Sequence, residues 1–558
     1  MKTRDIFPAA VAGLITLVVF APAGGNGFVN WDDNIYVVGN SYIKSLDAGL
    51  FSWAFTDISH GVWIPLTWIS FAFDYAVWGL NPFGYHIMNI ILHAANTALV
   101  CLLAMRLLQA YQSRVRQDSA PHQTLINDGS TINDGLVEWF GLIAALLFGL
   151  HPLRVESVAW ISERKDLLSG FFGFLTVILY IDYAVDKPPA PRSFEVFKNR
   201  KYLAAMFFFV LSLMSKPMTI TLPLLLVVLD WFPLGRLSGR AGAVDALREK
   251  ALFFLSALAA GIVNMLASTG SYGHVTIWSR MITAGRALIT YLLLTVRPEG
   301  LAVLYDHPGN TASLRDVSYL APAALLLIIS ALALATAGRQ KIWLAVWSAY
   351  LITLLPTLGI FTFSNSSMND RYTYFAAVWP TLAAALCITV LYTRRYSLPG
   401  LGRGVHAGLI IAVASALLYY AQGTMKQIRV WHDTESLWSN VIDKRPAESG
   451  AAHYERGCYY YDKGRYDEAL RDEDAALEIV ERNKNKRTDN IYFIRGRINM
   501  KTAGYKAAVE DFTMAIERNP YKPMRRYYEE RALAYKSLGM DREAAEDASR
   551  AEGITETN

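Results

Sequence analysis

Residues 6–20, IFPAAVAGLITLVVF, form one apolar run that Ala21-Pro22-Ala23-Gly24-Gly25 brings to a stop, and Trp31-Asp32-Asp33 follows. The run reads as a membrane helix, so the two adjacent carboxylates fall at the water–lipid boundary. Charge is costly there unless it is used, which makes Asp32 and Asp33 a candidate site. The same residues also fit a solvated interfacial loop with a tryptophan anchor, and the remaining sequence has to separate the two readings. Lys2, Arg4 and Ala21-Pro22-Ala23 imitate a signal peptide with its small-residue cleavage site. Pro22 inside that motif and the many apolar segments beyond it point to an uncleaved first helix.

Of the 558 residues 53% are hydrophobic and only 18% charged, and the charge is uneven. Up to about Gly423, long apolar runs alternate with short polar punctuation. After it, charge is dense and no run reaches the roughly 20 apolar residues that cross a bilayer. The sequence therefore predicts an all-α chain in three parts. Residues 1–424 form a polytopic membrane domain, 425–446 a connecting helix or half repeat, and 447–558 a soluble helical domain. Cys101, Cys387 and Cys458 stand singly and support neither a disulfide framework nor a zinc site. The net charge of +5 comes largely from basic loops, which set topology and give no reason to expect a nucleic-acid partner.

About eleven transmembrane helices are expected, near 6–23, 84–109, 138–150, 167–184, 201–214, 217–232, 250–268, 319–337, 342–361, 371–393 and 405–424. Arg114 and Arg116 follow the second, and Lys187, Arg192 and Lys198 the fourth. Arg236, Arg240 and Arg248 follow the sixth, Arg339 and Lys341 the eighth, and Arg394, Arg395 and Arg403 the tenth. Basic loops stay in the cytoplasm, so these alternate correctly with the N-terminus inside. Residues 281–296, flanked by Arg280, Arg286 and Arg297, suit an amphipathic helix lying at the interface instead of a span. Eleven spans place Asp32, Asp33 and the C-terminal domain on the same, non-cytoplasmic face.

The tail repeats. Gly457, Tyr460, Gly464, Tyr466, Ala469 and Ala476 return as Gly496, Gly504, Tyr505, Ala508, Phe512, Ala515 and Pro520. A third copy contains Ala532, Tyr535, Gly539, Ala544, Ala548 and Ala551. These intervals are near the 34 residues of a tetratricopeptide repeat, and insertions such as 483–488 account for the excess. About three repeats are expected, with 431–446 as an unpaired preceding helix. Such arrays present concave surfaces to peptides and proteins.

Three further polar groups share the expected outer face. The first is His151-Pro152-Leu153-Arg154-Val155-Glu156 with Glu163-Arg164-Lys165-Asp166. The second is Asn369-Asp370-Arg371-Tyr372, and the third is Ser215-Lys216-Pro217. Each alone could be helix capping or surface pairing. Together with Asp32 and Asp33 they bring acids and bases to one bilayer edge, where they can serve a charged lipid headgroup. A transporter is disfavoured, because no inverted repeat is evident and transporter sites lie near the midplane.

Leu66-Thr67, the stretch from Leu80-Asn81-Pro82-Phe83-Gly84-Tyr85-His86 to Leu92-His93-Ala94, and the Asp32-Asp33 pair resemble the transmembrane O-mannosyltransferases with tetratricopeptide repeats. His151-Pro152 with Glu156, the later Arg164 and Asp166, and Asp370-Arg371-Tyr372 continue the likeness in order along nearly the whole chain. The repeat array is short, and Ser215-Lys216-Pro217-Met218 looks like the bacterial relatives. The resemblance implies a GT-C-type membrane glycosyltransferase that takes sugar from a polyprenyl-phosphate donor, with protein Ser/Thr hydroxyls as acceptors and the repeats recruiting the acceptor protein. It implies an integral protein of a bacterial inner membrane, with site and repeats on the periplasmic face. It places the general base on the first-loop pair, with Asp32 preferred and Asp33 holding the loop or acceptor. Cations must meet the leaving phosphate: Arg371 first, then Arg164 and Lys216, since a guanidinium fork binds phosphate oxygens bidentately. Glu156, Asp166 and His151 are expected to orient those cations or to hold a divalent cation such as Mg or Mn, with His151 equally suited to capping a helix. Two other readings remain open at this stage. One has the same donor with a glycolipid or envelope polysaccharide as acceptor; the other is a non-catalytic scaffold.

Overall fold

The structure is a computed structural model that describes residues 3–58, 60–117, 134–186, 195–237, 239–267, 275–305, 308–360, 366–393, 402–446, 449–482, 488–519 and 524–554. Lys187, Arg192, Arg394, Arg395, Pro520 and most of the 483–488 insertion lie outside them. Every regular element among the described residues is helical. The chain forms two compact bodies, one of Met1–Phe28 and Asp33–Trp431, the other of Val29–Asp32 and His432–Asn558. The division at Trp431 falls within the expected connecting segment 425–446, and the last apolar helix runs on to Val430. Four first-loop residues also belong to the second body.

The first body opens with α1 (Thr3–Phe20), α2 (Ala48–Thr56), α3 (Pro65–Trp78), α4 (Pro82–Gln117), α5 (Asp134–Gly149) and α6 (Val155–Ala159). It continues with α7 (Arg164–Asp186), α8 (Arg200–Ser215), α9 (Leu222–Trp231), α10 (Gly239–Glu249), α11 (Ala251–Ala267) and α12 (Ile277–Val296). It ends with α13 (Val317–Thr336), α14 (Lys341–Leu354), α15 (Thr373–Ala376), α16 (Val378–Thr393) and α17 (Gly402–Val430).

All eleven expected segments are helical, but they are not equal. Among the described residues, five helices are long and apolar enough to cross a membrane: Asp5–Gly25, Pro82–Val115, Ile161–Asp186, Val317–Thr336 and Ala407–Val430. Three more qualify only as pairs bent by 60°, 45° and 59° at short breaks: Asp134–Gly149 with Pro152–Ala159, Gly239–Glu249 with Ala251–Ala267, and Asp370–Ala376 with Val378–Thr393. The segments at 201–214, 217–232 and 342–361 are shorter helices. At 1.5 Å per residue, the 16 residues of α8 reach about 24 Å, less than a hydrocarbon core of about 30 Å. The 281–296 segment lies in α12, which is not among the candidate spans.

The breaks explain the polar residues inside apolar helices. Asn89, His93, Asn96 and Thr97 are fully buried and recur at helical spacing along one face of α4. Asn89 Nδ2 donates to the carbonyls of Val158 (3.2 Å) and Trp160 (3.3 Å), and Asn96 Nδ2 to that of Leu167 (2.9 Å). His93 Nε2 donates to the Gly149 carbonyl (3.0 Å), which leaves Nδ1 to accept from the Tyr374 hydroxyl (2.8 Å). The stripe on α4 thus meets carbonyls at the interruptions between α5, α6 and α7 and one in the first turn of α7. It also fixes where the charged run at 156–166 stands. At Gly149 the helices approach so closely that a Cβ would sit 2.5–2.6 Å from the Thr97 and Thr16 hydroxyls.

Toward the other end of α7, Asp230 accepts from Tyr180 (2.8 Å), Arg236 (3.2 Å) and Lys250, while Glu249 accepts from Arg236 (2.7 Å). These two acids and two bases are all buried and close a neutral network.

The second body contains α18 (Thr434–Lys444) and three helical hairpins: α19 (Gly450–Asp462) with α20 (Tyr466–Arg482), α21 (Asp489–Lys501) with α22 (Tyr505–Arg518), and α23 (Arg525–Ser537) with α24 (Asp541–Glu552). One ion pair recurs within each hairpin, always 16 residues apart. Arg456 meets Asp472 at 2.7 Å, Arg495 meets Asp511 at 2.5 Å and Arg531 meets Asp547 at 2.7 Å. The hairpin turns carry positive φ at Gly464 (73°), Ala503 (59°) and Gly539 (73°). Ala503, not Gly504, therefore occupies the left-handed position of the middle turn. In this body Asn30 donates to the Glu455 carbonyl (2.7 Å) and the Thr434 hydroxyl (3.0 Å) and accepts from Trp438 Nε1 (2.8 Å).

Candidate active site

The charged side chains of the first body gather where helices break. Glu156 lies on the one-turn α6, Glu163 ends the turn Ile161–Glu163, and Lys165 and Asp166 open α7. Lys216 stands between α8 and the turn Pro217–Thr219, and Arg371 lies in the turn Asp370–Tyr372. Backbone irregularity here supplies sharp changes of direction that bring four segments to one place.

Glu163 is the hub. Its carboxylate accepts from Lys216 Nζ (2.9 Å) and pairs with Lys165 Nζ (3.3 Å) and Arg371 Nε (3.1 Å). Glu156 holds Arg371 twice, through its guanidinium and through its backbone N–H (3.0 Å). Asp166 accepts from Lys216 Nζ (2.6 Å) and from the Ser157 hydroxyl (3.0 Å). Aromatic faces complete the cradle: Arg371 lies 5.2 Å from the Trp160 ring and Lys165 4.6 Å from that of Tyr36.

Three carboxylates thus face three cations, and exposure is divided by sign. The side chains of Glu156, Glu163 and Asp166 are 0–3% exposed, whereas Arg371 keeps 15%, Lys216 17% and Lys165 7%. The acids are buried, and the side chains of Arg371 and Lys216 keep a small part of their surface accessible while their charged ends pair with those acids.

The expected site residues divide. Arg371, Lys216, Glu156 and Asp166 come together. Asp33 is buried beside them: its carboxylate accepts both the backbone N–H (3.0 Å) and the hydroxyl of Ser162, the neighbour of Glu163. Asp32 is half-buried and belongs to the second body. Arg164 points elsewhere. It is fully buried, and its guanidinium is taken up by Asp74, the Asn89 side-chain oxygen (2.8 Å) and the Tyr85 carbonyl (2.7 Å), under the Phe71 ring. His151 is a helix cap: Nδ1 accepts from the Leu153 N–H (3.2 Å), so Nε2 carries the proton and donates to the Thr295 carbonyl (3.0 Å). Among the described residues no group of three or more His, Cys, Asp and Glu side chains could hold a metal ion. The donor set also suits one poorly, since Glu156 and Asp166 already face cations; no step below runs through a metal.

The reading of the sequence names Glu163 and Lys165 in its charged run but gives them no role; Glu163 stands just before α7 and Lys165 in its first turn. It likewise gives no role to Arg154, which is buried with Nη2 donating to the Thr373 hydroxyl (2.9 Å) while Nε and Nη1 have no hydrogen-bond partner. Alternation of sign was the available signal, but it cannot say which side of a helix start faces the neighbouring break.

Apolar helices of spanning length and a cation-lined site built from helix breaks define an integral membrane protein. No family model matches the chain. It is 34% identical over 134 residues to Protein O-mannosyl-transferase Tmtc3 of Drosophila melanogaster, a match covering 24% of this chain and 14% of that protein. Over 139 residues it is 29% identical to Protein O-mannosyl-transferase TMTC2 of Mus musculus, covering 25% of this chain and 13% of that one. A longer match, 22% identical over 464 residues, joins 76% of this chain to 48% of Protein O-mannosyl-transferase TMTC1 of Homo sapiens. The chain spans about half or less of the length of these relatives. It is a relative of the TMTC protein O-mannosyl-transferases.

Proposed function

We propose that the protein is a GT-C-type membrane glycosyltransferase that moves a sugar from a polyprenyl phosphate to Ser/Thr hydroxyls of proteins. The observation that carries this reading is the division of exposure in the charged cluster. Arg371 and Lys216 are the partly accessible members of the cluster and the acids that hold them are buried, an arrangement that suits a departing phosphate. The names of the relatives supply the sugar-transfer chemistry. The acceptor oxygen attacks the anomeric carbon as the bond from that carbon to the phosphate oxygen breaks, and the sugar leaves behind polyprenyl phosphate. The acceptor's proton goes to Asp32, the first-loop carboxylate favoured by the resemblance, and Asp33 anchors the loop through Ser162. Preorganised donors aimed at developing charge are the largest single contribution in many enzymes. Glu156, Glu163 and Asp166 hold the cations in place, and Arg164 and His151 serve the fold around them.

The three hairpins of the second body suit tetratricopeptide repeats that recruit the acceptor protein. In a bacterial cell, site and repeats would face the periplasm from the inner membrane. The test is mass spectrometry of envelope proteins from cells carrying the wild-type chain, the Asp32→Asn chain or none. Sugar on Ser/Thr of specific proteins, present only with the wild-type chain, is the expected result. Unchanged protein glycans alongside an altered glycolipid or polysaccharide would assign a different acceptor. No change in any glycan would leave a scaffold.

A further inference from the structure

Trp160 occupies the bend between α6 and the turn Ile161–Glu163. Its N–H donates to the Glu156 carbonyl (3.3 Å), and its own carbonyl accepts from the Glu163 N–H (3.1 Å) and from Asn89 Nδ2 (3.3 Å). The backbone is therefore tied to both acids that hold Arg371. The ring meets what those acids hold: the Arg371 guanidinium lies 5.2 Å from its centroid and Lys165 Nζ 5.7 Å. Two cations of the cluster thus share one indole. Trp431, which closes the last turn of α17, stacks on the same ring, with centroids 5.5 Å apart and planes 26° from parallel. The Ile428 carbonyl in that turn accepts from the Trp431 N–H (3.1 Å) and from Asn26 Nδ2 (3.3 Å). The second indole is thereby fixed against the start of the first loop.

Both indoles are 1% exposed, and neither Nε1 has a hydrogen-bond partner. A buried donor left unpaired costs free energy. Phenylalanine would fill most of the same space without that donor, so hydrogen bonding does not account for an indole at either place. What tryptophan supplies beyond phenylalanine is the strongest π face for a cation and a wider one for stacking. At 160 that face meets Arg371 and Lys165; at 431 it meets Trp160. A carboxylate attracts a cation from many directions, whereas a flat ring beside a guanidinium restricts its tilt. The ion pairs therefore fix where the charges stand, and the ring fixes how they are turned.

We propose that Trp160, stacked on Trp431, is a positioning residue for the donor's phosphate: it orients Arg371 and Lys165 without itself touching the substrate. This rests on the sugar transfer proposed above. The experiment measures equilibrium binding of radiolabelled decaprenyl phosphate, and separately of decaprenol, to the full chain purified in detergent. The wild-type chain should prefer the phosphate. Trp160→Leu keeps an apolar side chain without a π face. It should weaken phosphate binding about tenfold, the effect of a lost cation–π contact, and leave decaprenol binding unchanged. Trp160→Phe restores a weaker face and should come within about threefold of wild type. Trp431→Leu should weaken phosphate binding about threefold with the same selectivity, and it carries the test if Trp160→Leu fails to fold. Parallel loss of phosphate and decaprenol binding would overturn the inference and leave the pair a packing element. Phosphate binding that none of the variants changes would overturn it as well. A wild-type chain that binds the two ligands equally would overturn the proposed function, and this inference with it.

Discussion

Asp74→Leu separates the two roles open to a buried arginine in this protein. Arg164 is fully buried and Asp74 nearly so, so removing the carboxylate leaves a guanidinium without its counter-charge. Breaking a buried pair from one side costs about 3–5 kcal/mol. The Asn89 and Tyr85 oxygens and the Phe71 ring still hold Arg164, which favours the lower half of that range. At about 2.1 cal/mol/K per residue, a body of roughly 400 residues shifts by about 1 °C per kcal/mol, so the unfolding midpoint in detergent should fall by about 3–4 °C. Asp74→Asn keeps an acceptor and should cost about 1–3 kcal/mol. The double variant Asp74→Leu/Arg164→Met removes both charges and should recover at least half of the loss, because a buried ion pair is often replaced at little cost by apolar groups. The assay is thermal unfolding of all four proteins followed by intrinsic fluorescence, with donor binding measured alongside. The reasoning fails if the double variant is as unstable as the single. It fails equally if Asp74→Leu keeps its midpoint but loses the donor, which would return Arg164 to the phosphate.

Asp32→Asn should lower transfer by about 10²–10⁴-fold with an unchanged unfolding midpoint, measured as sugar transferred per folded protein. Glu163→Gln leaves three cations against two acids, so donor KM should change more than kcat, since the donors that meet the phosphate lose their shared anchor. Ala503→Gly should stabilise the tail by up to about 1 kcal/mol, because alanine pays about 1–2 kcal/mol for its left-handed φ of 59° while glycine loses somewhat less in chain entropy; hydrogen exchange of α21 and α22 reads the change. Burial pushes the Glu455 carboxyl up to about 7 and holds that of Glu473 well above the usual range. A folded-state pKa raised in this way favours the native tail at low pH. That stability is complete below about pH 4.5, the ordinary glutamate value, and for Glu455 it is lost as pH rises through about 7. Protection of α19 and α20 should therefore be greater at pH 5 than at pH 8, and Glu473→Gln should flatten the difference.

Hydropathy made the helices legible, because a long apolar run has few alternatives to a membrane helix. The expected spans 138–150 and 250–268 end and begin at two of the breaks, the first marked by Gly149 and Pro152, whereas the bend inside 371–393 falls at Ala377, a residue with no breaking signature of its own. The polar stripe of α4 was visible as Asn89, His93 and Asn96, but its use depends on carbonyls in segments 56–71 residues away. The tail's period was readable from its small residues. Its recurring Arg–Asp pair was equally present in the sequence, at the same 16-residue interval in each hairpin. Glu473 shows why residue type alone misleads there: it occupies the place of Phe512 one repeat on, so a buried acid sits where an aromatic packs. Whether Arg164 or Arg371 faces the accessible side depends on the turn that each opens or occupies, and only coordinates resolve that.

Asn30 and Trp31 are fastened by Thr434, Trp438 and the Glu455 carbonyl, inside the same body as the hairpins. The residue next in line is Asp32. Modular exchange of the tail therefore has a hidden reach. A chimera carrying another protein's repeats would change the footing of the loop that holds the proposed base together with the proposed acceptor surface, and a truncation before 432 would remove both at once. If the hairpins recruit the acceptor as proposed, a graft that keeps α18 and the first turns of α19 native and exchanges only the later hairpins should change specificity alone.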